Sequence, residues 1–354
     1  MANDKKISDR YKKIFWAAFS PLLAMLTVWM LLKQNDSVSV RDIAQTAASA
    51  DKRWFIAAIV STVFYIIFEG FALCSILKGA GFRPKLKNGI LYSTADIYFS
   101  AITPSATGGQ PACAYFMLRD RISGGVTTAV LMLNLMMYTA SIVVLTIISV
   151  ILCPGSFAKF SIPSKLLIIG GASVQLLLTV FFVFILNKGD FIFNILKRTI
   201  SFLGRKKIIR NTKKPIAKLT KAQADYSACS QLFAGNYRLL LKAFLWNLLQ
   251  RLSQILVSPF LYVALGGKTA WFTDVFAKQC LITTGYNFVP LPGAMGVADY
   301  LMLNGFSGIM NRDMAFHLEM LSRGMTFYIC VTLSGFITLV GYIVKRRRRK
   351  NAVV

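Results

Sequence analysis

The sequence is poor in acidic side chains and in histidine. Its 354 residues include 14 aspartates and glutamates against 41 lysines and arginines, and a single histidine, His317. One histidine without a partner motif gives no basis for a metal centre, and six cysteines without a Cys-x-x-Cys pair support neither a metal site nor a disulfide framework. No phosphate-binding loop signature and no nucleophile–base pair is present. We therefore expect no catalytic residue, no metal and no cofactor.

Apolar residues dominate the composition. They make up 55% of the chain, and the mean hydropathy is +0.56. A net charge of +27 would suggest nucleic acid in a soluble protein, but here the basic residues flank apolar segments. In that position they set the orientation of a membrane protein and meet anionic lipid. The prediction is an all-α integral membrane protein, a polytopic helical bundle without a nucleic-acid partner.

Six apolar segments are long enough to predict spans: 14–32, 54–77, 125–152, 166–187, 239–265 and 324–344. The basic loop 188–221 and the basic run 345–350 indicate the cytoplasmic side, and both termini are expected there. We divide the chain into an N-terminal membrane half (1–187), a basic cytoplasmic linker (188–237) and a C-terminal membrane half with a basic tail (238–354).

A helix-breaking stretch interrupts each half. Residues 101–115 and residues 287–299 both combine two prolines with glycines. In hydrocarbon a broken backbone is tolerated only where it is buried in protein or lines a wet cavity. We predict two re-entrant hairpins, at about 89–118 and about 275–310. Entry from opposite faces would make them an inverted repeat, whose interface is where transporters bind substrate.

The two interruptions supply the neutral candidates for substrate binding. The side chains in the first offer hydrogen bonds and its glycines offer backbone donors, although such groups also satisfy broken backbone. These candidates are Thr103, Ser105, Thr107, Gly108, Gly109, Gln110, Pro292, Gly293 and Gly296.

Five ionisable residues lie in or beside the spans, where each costs about 2.5–3.5 kcal/mol at the centre and is usually functional or paired. Arg251 could bind a lipid phosphate or pair with Glu69 or Asp299. Asp299 could face a cationic head group, carry a proton or cap a helix. Arg323 could meet an anionic head group or anchor at the interface. Glu69 and Asp96 are candidate charge partners, or they snorkel to the membrane surface.

Two ordered motifs carry a family resemblance. They read Thr103-Pro104-x-x-x-Gly108-Gly109-x-Pro111-x-x-Ala114-Tyr115 and Pro290-x-Pro292-Gly293-x-x-Gly296-x-x-Asp299, with Arg323 leading into a last span that holds Tyr328 and Gly335. The chain resembles the transmembrane region of the lysylphosphatidylglycerol synthase/flippase family of bacterial envelope proteins, which confer resistance to cationic peptides. The departures are Ala294 and Asp299, where the family commonly has glycine and glutamate, and Cys113, at a position often basic or amide-bearing.

The resemblance implies the flippase part without the synthase, in a bacterial cytoplasmic membrane. The first hypothesis is a translocator of an aminoacylated, anionic or glycosylated phospholipid. A second is a lysyl-tRNA-dependent phosphatidylglycerol lysyltransferase, and a third is a non-transporting partner of a separate synthase. Expected partners are the lipid substrate, anionic head groups at the basic loop and tail, and a second copy of the chain or a separate synthase.

Overall fold

The computed structural model describes residues 40–103, 106–205, 213–289, 291, 294 and 296–351, and the regular structure in this part of the chain is helical throughout. The predicted all-α fold is confirmed, while the predicted span 14–32 lies outside the described residues. The α-helices are α1 (Val40–Ser49), α2 (Lys52–Gly79), α3 (Leu86–Ile102), α4 (Gly109–Arg119), α5 (Gly124–Leu152), α6 (Ile162–Asn187), α7 (Gly189–Arg205), α8 (Lys213–Ala234), α9 (Tyr237–Ala264), α10 (Phe272–Tyr286), α11 (Val297–Phe306), α12 (Arg312–Arg323) and α13 (Cys330–Asn351).

Four helical stretches among the described residues are long and apolar enough to cross a membrane. They are Lys52–Gly79, Gly124–Leu152, Ile162–Phe184 and Asp313–Arg346. The last combines α12, a π-helical turn at Gly324–Ile329 and α13. These stretches coincide with four of the predicted spans, at 54–77, 125–152, 166–187 and 324–344. The chain is therefore a membrane protein.

Helix α9 is the central element of the bundle. It packs along α2 over most of its length and also contacts α5 and α10. Its 28 residues cover the predicted span 239–265, but Asn247, Gln250 and Arg251 give it a polar middle, and the structure buries all three. Because a polar middle lowers its hydropathy, the crossing of the membrane by α9 stays a prediction.

Apolar clusters lie on either side of this polar middle. One holds Leu73 of α2 and Leu239 of α9, and the other holds Ala58 of α2 and Leu261 of α9. Glu69 of α2 and Asn247, Gln250 and Arg251 of α9 fall between the two clusters. The bundle is thus closed by apolar packing at two levels, with polar groups between them.

The two interrupted stretches each separate a pair of short helices. The first joins α3 to α4 and the second joins α10 to α11, and these helices have 17, 11, 15 and 10 residues. None reaches the roughly 20 residues that a crossing needs. Such lengths suit hairpins that return to the face they came from, but re-entry and inverted symmetry stay predictions.

The basic linker contains two helices, α7 and α8, that the sequence reasoning did not predict. They pack against each other through Phe193 and Tyr226, whose ring centroids are 5.5 Å apart. Asp190 accepts hydrogen bonds from Gln223 Nε2 at 2.6 Å and from Ser227 Oγ at 3.0 Å. These two donors hold the pKa of Asp190 below its ordinary value. Residues 206–212 of the predicted linker lie outside the described residues.

Candidate functional site

One cavity brings the two interruptions together. Its volume is about 550 Å³, and its wall includes Ser100, Ala106 and Gln110 near the first interruption and Asn287 and Ala294 at the second. The two stretches are about 180 residues apart in the sequence, so only the fold makes them neighbours. A pocket of roughly 300–1,000 Å³ accommodates a drug-sized group, which makes this cavity the candidate site.

Thr103 closes the first interruption by bonding to the backbone on both sides of it. Its Oγ1 donates to the carbonyl oxygen of Phe99 at 2.6 Å and accepts from the amide of Gly108 at 2.8 Å. A Cβ on Gly109 would lie 2.0 Å from both Asp96 Oδ1 and Ser100 Oγ, so glycine is required for this close approach. These residues therefore shape the turn and satisfy its broken backbone, which is the alternative to substrate binding considered from the sequence.

Asp299 closes the second interruption. Its Oδ2 accepts from the backbone amide of Gly296, the residue before α11, at 2.8 Å. On the cavity side of the same turn, Asn287 Oδ1 accepts a hydrogen bond from Tyr138 of α5 at 2.9 Å. The turn is therefore tied to its own helix at one point and to α5 at another.

A non-glycine residue in each interruption has left-handed backbone. Ala106 has a φ of 53° and Ala294 a φ of 49°, a conformation that costs an L-residue about 1–2 kcal/mol. Both alanines line the cavity. Backbone strain that persists at a ligand-sized cavity is typical of functional sites. Glycine in place of Ala294 would relieve this strain, because glycine adopts a positive φ freely.

Arg251 is the central cation of the cavity wall. Its guanidinium lies 3.9 Å from the ring centroid of Tyr138 and 5.3 Å from that of Tyr65. Nη1 donates to Gln254 Oε1 at 2.6 Å, whereas Nε has no hydrogen-bond partner among the described residues. Arg251 forms an ion pair with neither Glu69 nor Asp299, the two partners considered from the sequence. It is a buried cation held by aromatic faces, with hydrogen-bonding capacity to spare.

Two carboxyl groups lie near Arg251 in the same wall. Glu69 accepts from Ser93 Oγ and from Gln250 Nε2, both at 3.1 Å. Asp96 accepts from Gln110 Nε2 at 3.2 Å. The cavity therefore presents two acidic groups and the Arg251 cation to the same space.

The second buried arginine, Arg323, is neutralised. Its Nε donates to Asp299 Oδ1 at 2.8 Å, its Nη2 lies 2.6 Å from the same oxygen, and Glu319 Oε1 is 3.8 Å from Nε. Arg323 also immediately precedes the π-helical turn Gly324–Ile329, of which Thr326 reaches the cavity wall. Helix turns of this kind occur frequently at functional sites.

The structure separates the predicted site residues into three groups. Gln110, Arg251, Arg323, Glu69 and Asp96 line the cavity. The turns are built by residues just outside its wall, namely Thr103, Gly108, Gly109, Gly296 and Asp299, and Thr107 is exposed beside them. Ser105, Pro292 and Gly293 lie outside the described residues.

Sequence reasoning missed Gln175 of α6 and Gln279 of α10. Both line the cavity and both are buried. A signal was present for Gln175, because it is an uncharged polar side chain inside an apolar segment of membrane length. Tyr65 and Tyr138 were also missed, since an aromatic residue in a span gives no sign that a cation lies against it.

Comparison with known proteins identifies the family. A model described as the lysylphosphatidylglycerol synthase TM region matches residues 16–334, nearly the whole chain, including both interruptions and the cavity. A comparison with curated proteins found no match. The family match confirms the resemblance predicted from the two motifs.

Proposed function

We propose, since the chain belongs to the family of the lysylphosphatidylglycerol synthase TM region, that it is a lipid translocator that moves a phospholipid between the leaflets of a bacterial cytoplasmic membrane. Membership of this family favours a function connected with membrane lipids. The observation that carries the proposal is the cavity that both interruptions line, with charged and amide side chains in its wall, inside an apolar bundle.

The cavity suits a head group rather than a whole lipid. Its volume of about 550 Å³ lies in the range that encloses a drug-sized group. Among the described residues, α6 and α13 do not form a packed helix pair, although Leu178 and Phe182 of α6 and Val331 of α13 all reach the cavity wall. In the proposed mechanism the head group occupies the cavity, and the acyl chains pass between these apolar side chains into the bilayer.

Arg251 is the proposed contact for the lipid phosphate. A phosphodiester accepts hydrogen bonds from a guanidinium in a planar arrangement. The Nε of Arg251, to which no described residue is hydrogen-bonded, supplies a donor. Glu69 and Asp96 then face the part of the head group that donates hydrogen bonds or carries positive charge. An aminoacylated, anionic or glycosylated phospholipid meets both requirements.

The test is movement of fluorescent phospholipids between leaflets of liposomes that contain the purified chain, read by chemical quenching of the outer leaflet. We expect translocation of at least one of phosphatidylglycerol, lysyl-phosphatidylglycerol and a glycolipid, and its loss in Arg251→Ala. Arg238→Ala is the matched control, because Arg238 is an exposed arginine at the start of the same helix.

Two outcomes would refute the translocator. One is the absence of movement for every lipid in the presence of folded protein. The other is movement that Arg251→Ala leaves unchanged, since the cavity would then not be the route. Formation of lysyl-phosphatidylglycerol from lysyl-tRNA by this chain alone would instead support the lysyltransferase hypothesis.

A further inference from the structure

Resting on the translocator function, we propose that the cavity selects lipids whose head group carries hydroxyls, such as a glycerol or a sugar. Gln175 and Gln279 are the residues that recognise them. The lining of the cavity includes six side-chain amides, from Gln110, Asn134, Gln175, Gln254, Gln279 and Asn287.

Four of these amides already have partners within the protein. Gln110 donates to Asp96, and Gln254 accepts from Arg251. Asn134 accepts from Asn247 at 3.1 Å, and Asn287 accepts from Tyr138. These amides position other groups of the wall and have part of their hydrogen-bonding capacity in use.

Gln175 and Gln279 differ from the other four. Their exposed fractions are only 2% and 6%, yet neither side-chain oxygen receives a hydrogen bond from any described residue. No hydrogen bond from either side-chain nitrogen is present among the described residues. Most buried polar groups in proteins have a partner, and one without a partner calls for an explanation. A bound ligand that completes their hydrogen bonds is that explanation here.

The chemistry of an open amide identifies the ligand group. An amide has an acceptor oxygen and a donor nitrogen side by side. A phosphate oxygen satisfies only the donor, and an ammonium group satisfies only the acceptor. A hydroxyl both donates and accepts, so it can satisfy either end. Because α6 and α10 are packed neighbours, two amides at this wall suit a group with more than one hydroxyl.

The experiment compares the rates at which four lipids move between leaflets, chosen so that they differ in whether the head group has a phosphodiester and whether it has hydroxyls. The lipids are phosphatidylglycerol, phosphatidylmethanol, which has no free hydroxyl, phosphatidylethanolamine, which has an ammonium, and a hexosyl diacylglycerol, which has hydroxyls without phosphate. We expect phosphatidylglycerol to move about tenfold faster than phosphatidylmethanol. Gln175→Met and Gln279→Met should each lower the phosphatidylglycerol rate about three- to tenfold, as one lost hydrogen bond does, and leave phosphatidylmethanol unchanged.

Thr127→Val is the matched control. Thr127 is 2% exposed, its hydroxyl likewise has no hydrogen-bond partner among the described residues, and it does not line the cavity. Its replacement should leave the lipid preference intact. Thermal unfolding in detergent checks the fold, and the two methionine variants should be no less stable than the wild type, because they bury no open amide.

The outcomes separate the two proposals. Equal rates for phosphatidylglycerol and phosphatidylmethanol, or a preference for phosphatidylethanolamine, would overturn hydroxyl recognition and leave the translocator standing. If no lipid moves, the translocator falls, and competition between the same lipids for binding in detergent decides whether the cavity recognises hydroxyls. If the hexosyl lipid moves faster than phosphatidylglycerol, the hydroxyls that the cavity recognises are those of a sugar rather than those of a glycerol.

Discussion

The same substitution should change the stability of the protein by very different amounts at the two buried arginines of the cavity wall. Arg323 is 8% exposed and lies against Asp299 and Glu319, whereas Arg251 is 5% exposed and has no carboxylate at ion-pair distance in the part of the chain that the structure describes. Replacing Arg323 by methionine leaves buried carboxylates without their cation, which typically costs about 3–5 kcal/mol. We expect Arg323→Met to lower the free energy of unfolding by that amount.

Arg251→Met should be close to neutral for stability. It removes the contacts with Tyr138 and Tyr65, each worth about 0.5–2 kcal/mol, and one charged hydrogen bond, worth about 1.5–3 kcal/mol. It also removes the desolvation penalty of a buried charge, which amounts to several kcal/mol. Because these effects oppose each other, we expect a net change of about 1 kcal/mol, together with complete loss of lipid movement.

The measurement is reversible unfolding in mixed micelles of both variants and of Arg323→Met combined with Asp299→Asn. The asparagine keeps an oxygen for the amide of Gly296 while it removes the unpaired charge, so the double variant should regain part of the lost stability. Equal destabilisation by Arg251→Met and Arg323→Met would refute the reasoning, because it would mean that Arg251 is also a structural ion-pair residue.

Three further predictions concern the turns and the linker. Ala294→Gly should stabilise the protein by about 1 kcal/mol, because glycine adopts a φ of 49° without strain. Ala298→Gly inside α11 should instead lower the stability by about 1 kcal/mol, and unfolding measures both changes. Gly109→Ala should abolish lipid movement, because its Cβ has no room, whereas Gly155→Ala, which meets no atom within 4 Å, should not. Since the pKa of Asp190 is lowered in the folded chain, its contribution to the α7–α8 contact is present above its ordinary pKa and is lost as the pH falls through the lowered value. The hydrogen-exchange protection factors of α7, which are corrected for the intrinsic exchange rate at each pH, should therefore fall at acid pH, and Asp190→Asn should abolish that fall.

The membrane helices could be predicted because hydropathy depends on local sequence. The segments 125–152 and 324–344 fall within helices of membrane length, and the interruption at 287–299 separates α10 from α11. Prolines and glycines break helices wherever they occur in such a run. The linker helices α7 and α8 were missed because the basic residues of 188–221 were interpreted only as a marker of orientation.

The partners within the site could not be predicted from local sequence. Arg323 pairs with Asp299, 24 residues away, and Arg251 packs on Tyr138, more than a hundred residues away. Several partners were chemically reasonable for each arginine, and only the packing of α5, α9 and α11 selects among them. The open amides of Gln175 and Gln279 are a sharper case, because the absence of a partner is a property of the folded chain alone.

The π-helical turn Gly324–Ile329 also fixes which face α13 presents to its neighbours. A π-helix accommodates one more residue per hydrogen-bonded ring than an α-helix. If this turn closed into α-helical geometry with the sequence unchanged, everything after it would rotate by about 100°. In the present register Gly335 faces the ring of Tyr98, and Lys345 pairs with Asp120 at 2.5 Å. Both contacts would be lost at once, so the π-helical turn couples the shape of the cavity wall at Thr326 to the position of the basic end of α13.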